Sequence, residues 1–282
     1  MSSYADFFRR SIDDRDGFWG EQSQLIDWHK PFDQVCDYSN PPFARWFAGG
    51  QTNLCHNAVD RHLATRGDQN ALIFVSTETN IEKAYSFKEL HAEVQRMAAI
   101  LKDLGVKKGD RVLIYMPMIA EACFAMLACV RIGAIHSVVF GGFSSGAVKD
   151  RVQDAAAKVI ITANESVRGG KNTPLKATVD EALKDGDCTS VEKVVVFKRT
   201  DADVPFTAGR DIWWHDLIAN QAAECEPEWV DAEHPLFILY TSGSTGKPKG
   251  VQHSTGGYLL GAMVSMKWVF DYKPDDIFWC TA

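Results

Sequence analysis

No run of residues in this sequence is long and apolar enough to cross a bilayer. The most apolar helix candidate, "ACFAMLACV", ends at Arg131, far short of the ~20 residues a spanning helix needs. The N-terminus, "MSSYADFFRRSIDDRDGFW", has no apolar centre that could act as a signal peptide. An excess of positive charge is missing too: 30 Lys and Arg stand against 37 Asp and Glu, a net charge of −7. That balance argues against nucleic acid or an anionic membrane as partner. C-x-x-C pairs are absent, and the seven cysteines are odd in number and scattered, which fits a reducing compartment better than a disulfide framework or a zinc site. The sequence has no repeat and no low-complexity segment. These absences predict a soluble cytoplasmic protein, in which the sequon Asn164-Glu165-Ser166 is a chance match.

What remains is an ordinary globular composition, 46% hydrophobic and 24% charged over 282 residues, with room for about two domains on the usual length scale. Residues 1–60 are rich in aromatics, prolines and turn formers, with helices expected near Tyr4–Ser11 and Phe18–Ile26. From residue 71 the pattern is regular. "ALIFVS", "RVLIYM", "IHSVVF", "KVIITA" and "VEKVVVF" read as strands. Between them lie helices at 86–104, 118–132, 144–156 and 174–183, the first opened by a Ser86/Glu89 capping box and closed by Gly105. Continuous apolar strands alternating with helices predict an α/β fold with a mostly parallel sheet covered on both faces. Ligands then bind beyond the carboxyl ends of the strands. Residues 199–233 read as a connection, after which "PLFILY" opens a second β/α unit. The closing "DDIFWCTA" reads as a buried strand lacking its turn and cover, so the sequence is expected to be a piece of a longer chain.

The most telling stretch is "FILYTSGSTGKPKGVQH". An apolar strand stops at Tyr240 and a loop of glycines, hydroxyls and lysines follows. Gly243, Gly246 and Gly250 free the backbone for positive φ and close approach. Ser242, Ser244 and Thr245 supply hydroxyls, Lys247 and Lys249 positive charge, and Pro248 bars helix. Such a loop suits a polyphosphate, its N–H groups forming an anion-binding concavity. A solvated linker is a poor alternative between a buried strand and the apolar helix "GYLLGAMVSMKWVF". A Walker A loop is excluded, because Thr241 stands where it needs Gly and Pro248 follows Gly246-Lys247 where it needs Ser or Thr.

"YTSGSTGKPKGV" resembles, nearly letter for letter, the phosphate-binding signature of the adenylate-forming superfamily: acyl-CoA synthetases, luciferases and peptide-synthetase adenylation domains. "IYMPMIAEACFAMLACVRIGAIHSVVFGGFSS" and "ITANESVRGGK" are similar to its short-chain branch, the acetyl- and propionyl-CoA synthetases. "SNPPFARWFAGGQTNLCHNAVDRHL" is similar to the propionate-activating members. The resemblance implies the large N-terminal domain of that fold, stacked β/α subdomains with mostly parallel sheets, truncated. Residues 1–60 would be an N-terminal extension and 61–282 an incomplete AMP-binding domain.

The chemistry implied has two halves. A short-chain carboxylate, propionate ahead of acetate, attacks the α-phosphorus of ATP to give acyl-adenylate and pyrophosphate. Coenzyme A then takes the acyl group and AMP leaves. Lys247 is the implied main counter-charge, with Thr241, Ser242, Gly243, Ser244, Thr245, Gly246 and Lys249 around the β- and γ-phosphates. Mg²⁺ is implied, but no residue here is assigned as a metal ligand. Arg168-Gly169-Gly170-Lys171 matches the stretch that contacts the phosphorylated ribose of coenzyme A. Gly141-Gly142 would admit its nucleotide part or merely make a strand-to-helix turn. His56 and His136 are expected in core or surface roles, Cys123 and Cys129 in the core, Met116 and Met118 as packing residues, and Asp275-Asp276 in a solvated turn. Relatives are more than twice this length, and their carboxylate pocket and adenylation lysine lie beyond Ala282, so the 282-residue chain is expected to be inactive alone. Two other classes stay open: an adenylate-former that hands its acyl group to a carrier protein, and a non-catalytic remnant.

Overall fold

The computed structural model describes residues 3–241 and 248–280. Its centre is a seven-stranded sheet. In chain order the strands are β1 (Arg111–Tyr115), β2 (Ile135–Val138), β3 (Val159–Ala163), β4 (Lys193–Phe197), β5 (Asp211–Trp213), β6 (Pro235–Thr241) and β7 (Lys249–Ser254). They lie in the spatial order β5-β4-β3-β1-β2-β6-β7. Every neighbouring pair is parallel except β6 and β7, which are antiparallel.

The helices are α1 (Phe87–Asp103), α2 (Ala120–Arg131), α3 (Ser145–Ala155), α4 (Leu175–Leu183), α5 (Trp214–Ala219) and α6 (Thr255–Val264). Successive residues of a strand point to opposite faces, so a continuous apolar run supplies two cores at once. Val112 and Ile114 of β1 pack with α1, α2 and Trp214 of α5. Leu113 and Tyr115 pack with Val148 and Val152 of α3 and Leu175 and Val179 of α4. α1 starts as predicted: Ser86 Oγ accepts from Glu89 N at 3.2 Å and Glu89 Oε2 accepts from Ser86 N at 2.7 Å. Gly105 follows its C-terminus at φ +83°.

The N-terminal aromatics form a satellite cluster. Trp19, Trp28, Phe32, Trp46 and Phe47 pack against Leu259 and Leu260 of α6. Residues 53–60 are tied to the end of α2. Asn53 Nδ2 donates to the carbonyls of Val130, Arg131 and Glu228 at 3.1, 3.3 and 2.8 Å. The Arg131 guanidinium, 1% exposed, donates to both oxygens of Asp60 at 2.8 and 2.9 Å.

Several expectations are corrected. "PLFILY" opens no second unit: β6 joins the existing sheet, with Phe237 opposite His136 of β2. Residues 199–233 are more than a connection, since Asp211–Trp213 add the edge strand β5. Residues 276–280 form no strand, and Ile277, Phe278 and Trp279 are exposed. Met116 is buried but Met118 is 64% exposed. "ALIFVS" stays outside the parallel sheet: Asn70–Ser76 pairs antiparallel with Ile81–Ser86 in a separate two-stranded sheet. Cys129 is in the core as expected, whereas Cys123 is only half-buried. The Asn164 side chain is buried, donating to Thr200 and Ala202, where no glycan could reach it.

Candidate functional site

Parallel strands point their carboxyl ends to one edge, and there the sequence-predicted residues gather. β6 ends at Thr241, β2 leads into Gly141-Gly142, and β3 leads through Asn164 and Glu165 into Ser166–Arg168. Three separate stretches of sequence thus reach one rim of one sheet.

Thr241 and Lys249 lie opposite each other in the β6–β7 register, and both are exposed. They flank the tip of a hairpin, an arrangement the sequence reading missed because it carried the loop straight into the helix. Ser242, Gly243, Ser244, Thr245, Gly246 and Lys247 lie outside the described residues. Gly250 corrects an expectation: it sits in strand β7 without positive φ. An added Cβ there would lie 3.0 Å from Ile238 Cγ2 and 3.2 Å from the Tyr240 ring. Its smallness makes room for the Tyr240 side chain next to the loop.

Tyr240 links the hairpin to the rest of the rim. Its hydroxyl donates to Asp154 Oδ2 at 2.5 Å. Burial first, and then this carboxylate, push the phenol well above its ordinary range, so it stays a neutral donor. The Arg151 guanidinium lies 5.1 Å from the Tyr240 ring centroid and 5.0 Å from that of Phe143, in cation–π range of both. Arg151 also donates to the Ala147 carbonyl at 2.7 Å, which fixes it on α3.

Gly141 is tight: a Cβ would stand 3.3 Å from the Met116 carbonyl oxygen, and at Gly142 it would stand 2.8 Å from the Phe140 ring. A side chain at either position would thus need its neighbour to shift, the Met116 backbone at Gly141 and the exposed Phe140 ring at Gly142. The Phe140 ring carries the Arg168 guanidinium at 5.4 Å, which brings Arg168 beside Gly141. Arg168 pairs with Lys171 across the short hairpin whose tip is Gly169-Gly170, and all four residues are exposed. Phe140, Phe143, Arg151, Asp154 and Tyr240 were not singled out from sequence. Their helix and strand patterns gave no hint that they converge, and only the aromatic residue just before the glycine pair was visible as a signal.

A further cavity lies elsewhere. A groove of about 720 Å³ is lined by Trp19, Trp46, His253, Tyr258 and Gly261, among others. His253 lies opposite Phe237 near the start of β6, so the groove opens away from the carboxyl rim. Among the described residues no cluster of His, Cys, Asp or Glu is assembled to hold a metal. None of their helices is long and apolar enough to cross a membrane.

The family model described as "AMP-binding enzyme" matches residues 59–282, and that described as "Acetyl-coenzyme A synthetase N-terminus" matches residues 4–58. The chain is 59% identical to an acetyl-coenzyme A synthetase of Thiobacillus denitrificans, covering 100% of this chain and 43% of that protein. It is 60% identical to one of Chromobacterium violaceum, covering 94% of this chain and 40% of that protein. A solved acetoacetyl-CoA synthetase from Streptomyces lividans superposes with a TM-score of 0.89 at 32% identity, covering 98% of this chain and 42% of that one. The chain thus spans less than half the length of the curated relatives it matches. With the signature strand, the mostly parallel sheet and a family model matched over residues 59–282 in agreement, the chain belongs to the AMP-binding enzyme family.

Proposed function

We propose that this chain carries the nucleotide-phosphate and coenzyme A contacts of an AMP-forming acid–CoA ligase, with residues 1–60 as an extension and 61–282 as part of the adenylating domain. Phosphoryl chemistry of this kind asks the protein for positioning and charge neutralisation. Lys247 and Lys249 supply the charge, and Thr241, Ser242, Ser244, Thr245 and the glycine N–H groups supply donors to the departing pyrophosphate. Arg168, Lys171 and the turns at Gly141-Gly142 and Gly169-Gly170 receive coenzyme A at the neighbouring loops. Mg²⁺ would enter with the nucleotide and neutralise phosphate charge; no residue of this chain is assigned to it. The whole reaction takes place in the cytoplasm on a small carboxylate.

The observation that carries this reading is convergence: the end of β6, the turn after β2 and the hairpin after β3 open on one rim of the sheet. For the acid, the relatives' names favour acetate, whereas the likeness of "SNPPFARWFAGGQTNLCHNAVDRHL" favours propionate. We put acetate first. Calorimetric titration with ATP tests the phosphate loop. Lys247→Ala is expected to weaken binding of ATP and of inorganic pyrophosphate by about tenfold or more, the worth of one charge-assisted contact. Unchanged affinity for both would refute the assignment. The 282-residue chain is expected to release no AMP from acetate, ATP and coenzyme A, and steady release would overturn that part.

A further inference from the structure

Gly169 and Gly170 stand side by side in the left-handed region, at φ +60° and +69°. Nothing lies within 4 Å of where either Cβ would be, so conformation and not space accounts for glycine here. Successive N–H groups in such a turn point to one side and form a concavity for an anion. That concavity already holds one. Glu78, at the tip of the hairpin formed by Asn70–Ser76 and Ile81–Ser86, accepts from Gly169 N at 2.8 Å with Oε1 and from Gly170 N at 3.2 Å with Oε2. The two N–H groups hold its carboxyl below the ordinary range.

The partners are 91 and 92 residues apart in sequence, on different hairpins. Local turn chemistry therefore does not account for the contact. Arg168 and Lys171 stand at the base of the same turn, so the hairpin that aims these two N–H groups also carries two cations. A carboxylate satisfies such a seat in part, with one charge and two oxygens. A phosphate monoester brings up to about two charges and three acceptor oxygens. Both cannot be seated on the same N–H groups at once.

We propose that Gly169, Gly170, Arg168 and Lys171 form a phosphate seat of which Glu78 is the tethered occupant. Glu78 holds the turn in its binding shape when no ligand is present, and it swings out when the ligand's phosphate enters. This rests on the reading of that turn as a coenzyme A contact and deepens it: the affinity for the terminal phosphate is set by competition with an internal anion. Glu78 is exposed, so replacing it leaves the core untouched.

The test uses the 282-residue chain, its Glu78→Gln and Arg168→Ala variants, and two probes, coenzyme A and its 3′-dephospho form. The backbone amide resonances of Gly169 and Gly170 are followed alongside affinity. Glu78→Gln is expected to tighten coenzyme A by about tenfold, one charge-assisted contact exchanged, to leave the dephospho form unchanged, and to show both glycine amides shifting on coenzyme A addition. Weaker binding in Glu78→Gln, an equal gain for both probes, or amides that do not respond would overturn the tether. If Arg168→Ala narrows the gap between the two probes while Glu78→Gln leaves it unchanged, the seat stands and the tether falls. If neither variant moves the gap, seat and tether fall together.

Discussion

His136, expected in a core or surface role, lies in the core, and its burial carries a consequence. Its ring is 8% exposed, packs 5.5 Å from the Phe237 ring, and has Nδ1 buried with no hydrogen-bond partner among the described residues. Burial lowers its pKa to about 4 from an ordinary 6.5. Between those values the unfolded chain binds a proton that the fold does not, so stability is full above about pH 6.5 and falls as the pH drops toward 4. Since each tenfold difference in proton affinity between the two states is worth ~1.4 kcal/mol, the wild type should lose about 2 kcal/mol more than His136→Phe between about pH 7 and about pH 5. Urea unfolding at the two pH values measures this. Parallel losses in both proteins would mean that the imidazole does not control acid stability. The sequence left His136 open between core and surface, since no carboxylate or cysteine stood at ligand spacing to single it out. Arg151 and Tyr240 were not legible, since their meeting depends on where α3 and β6 lie against each other.

Helices were easier to read than strands, for a physical reason. α1 announces itself through a 3.6-residue apolar period and a reciprocal cap, and both partners of the cap lie within four residues of sequence. Ser86→Ala removes the acceptor for Glu89 N and should cost about 1 kcal/mol, seen as a lower urea midpoint with an unchanged slope. A cost near zero would show the first turn to be held by packing of Phe87 alone. The missed elements were edge strands. β7 reads "KGVQHS" and is mostly exposed, so no apolar alternation marks it; it is held by backbone pairing to β6 and by the His253 ring stacked on Phe237. β5 is three residues long and is held by Val194–Val196 of β4 opposite it. Central strands advertise themselves because both faces are buried, whereas edge strands are defined by a partner the sequence does not name. The hairpin that flanks the glycine- and lysine-rich segment fell on that side of the divide, so the segment's residue types were visible and its scaffold was not.

Across the whole molecule, the N-terminal region and the sheet are joined by buried polar groups as well as by aromatic packing. Burial works against the Asp60 carboxylate, but hydrogen bonds from His91 and Arg131, and the charge of Arg131, outweigh it and hold its carboxyl well below the usual range. Arg131 in turn donates to the Cys225 carbonyl and to Cys55 Sγ, so one guanidinium ties together residues 55–60, the end of α2 and the segment before β6. Removing one member of such a pair leaves the other charge buried without compensation, which costs about 3–5 kcal/mol, while replacing both by apolar groups costs far less. Asp60→Asn should therefore lower stability by about 3 kcal/mol or more, and adding Arg131→Met should restore part of the loss despite the orphaned Cys225 carbonyl. A single variant within about 1 kcal/mol of wild type would mean that the clamp is solvated and that the aromatic cluster around Trp28 and Phe47 alone docks the N-terminal region. The pair itself could not be found in the sequence: Asp60 and Arg131 are 71 residues apart, and each alone reads as a surface charge until the fold brings both beside Cys55.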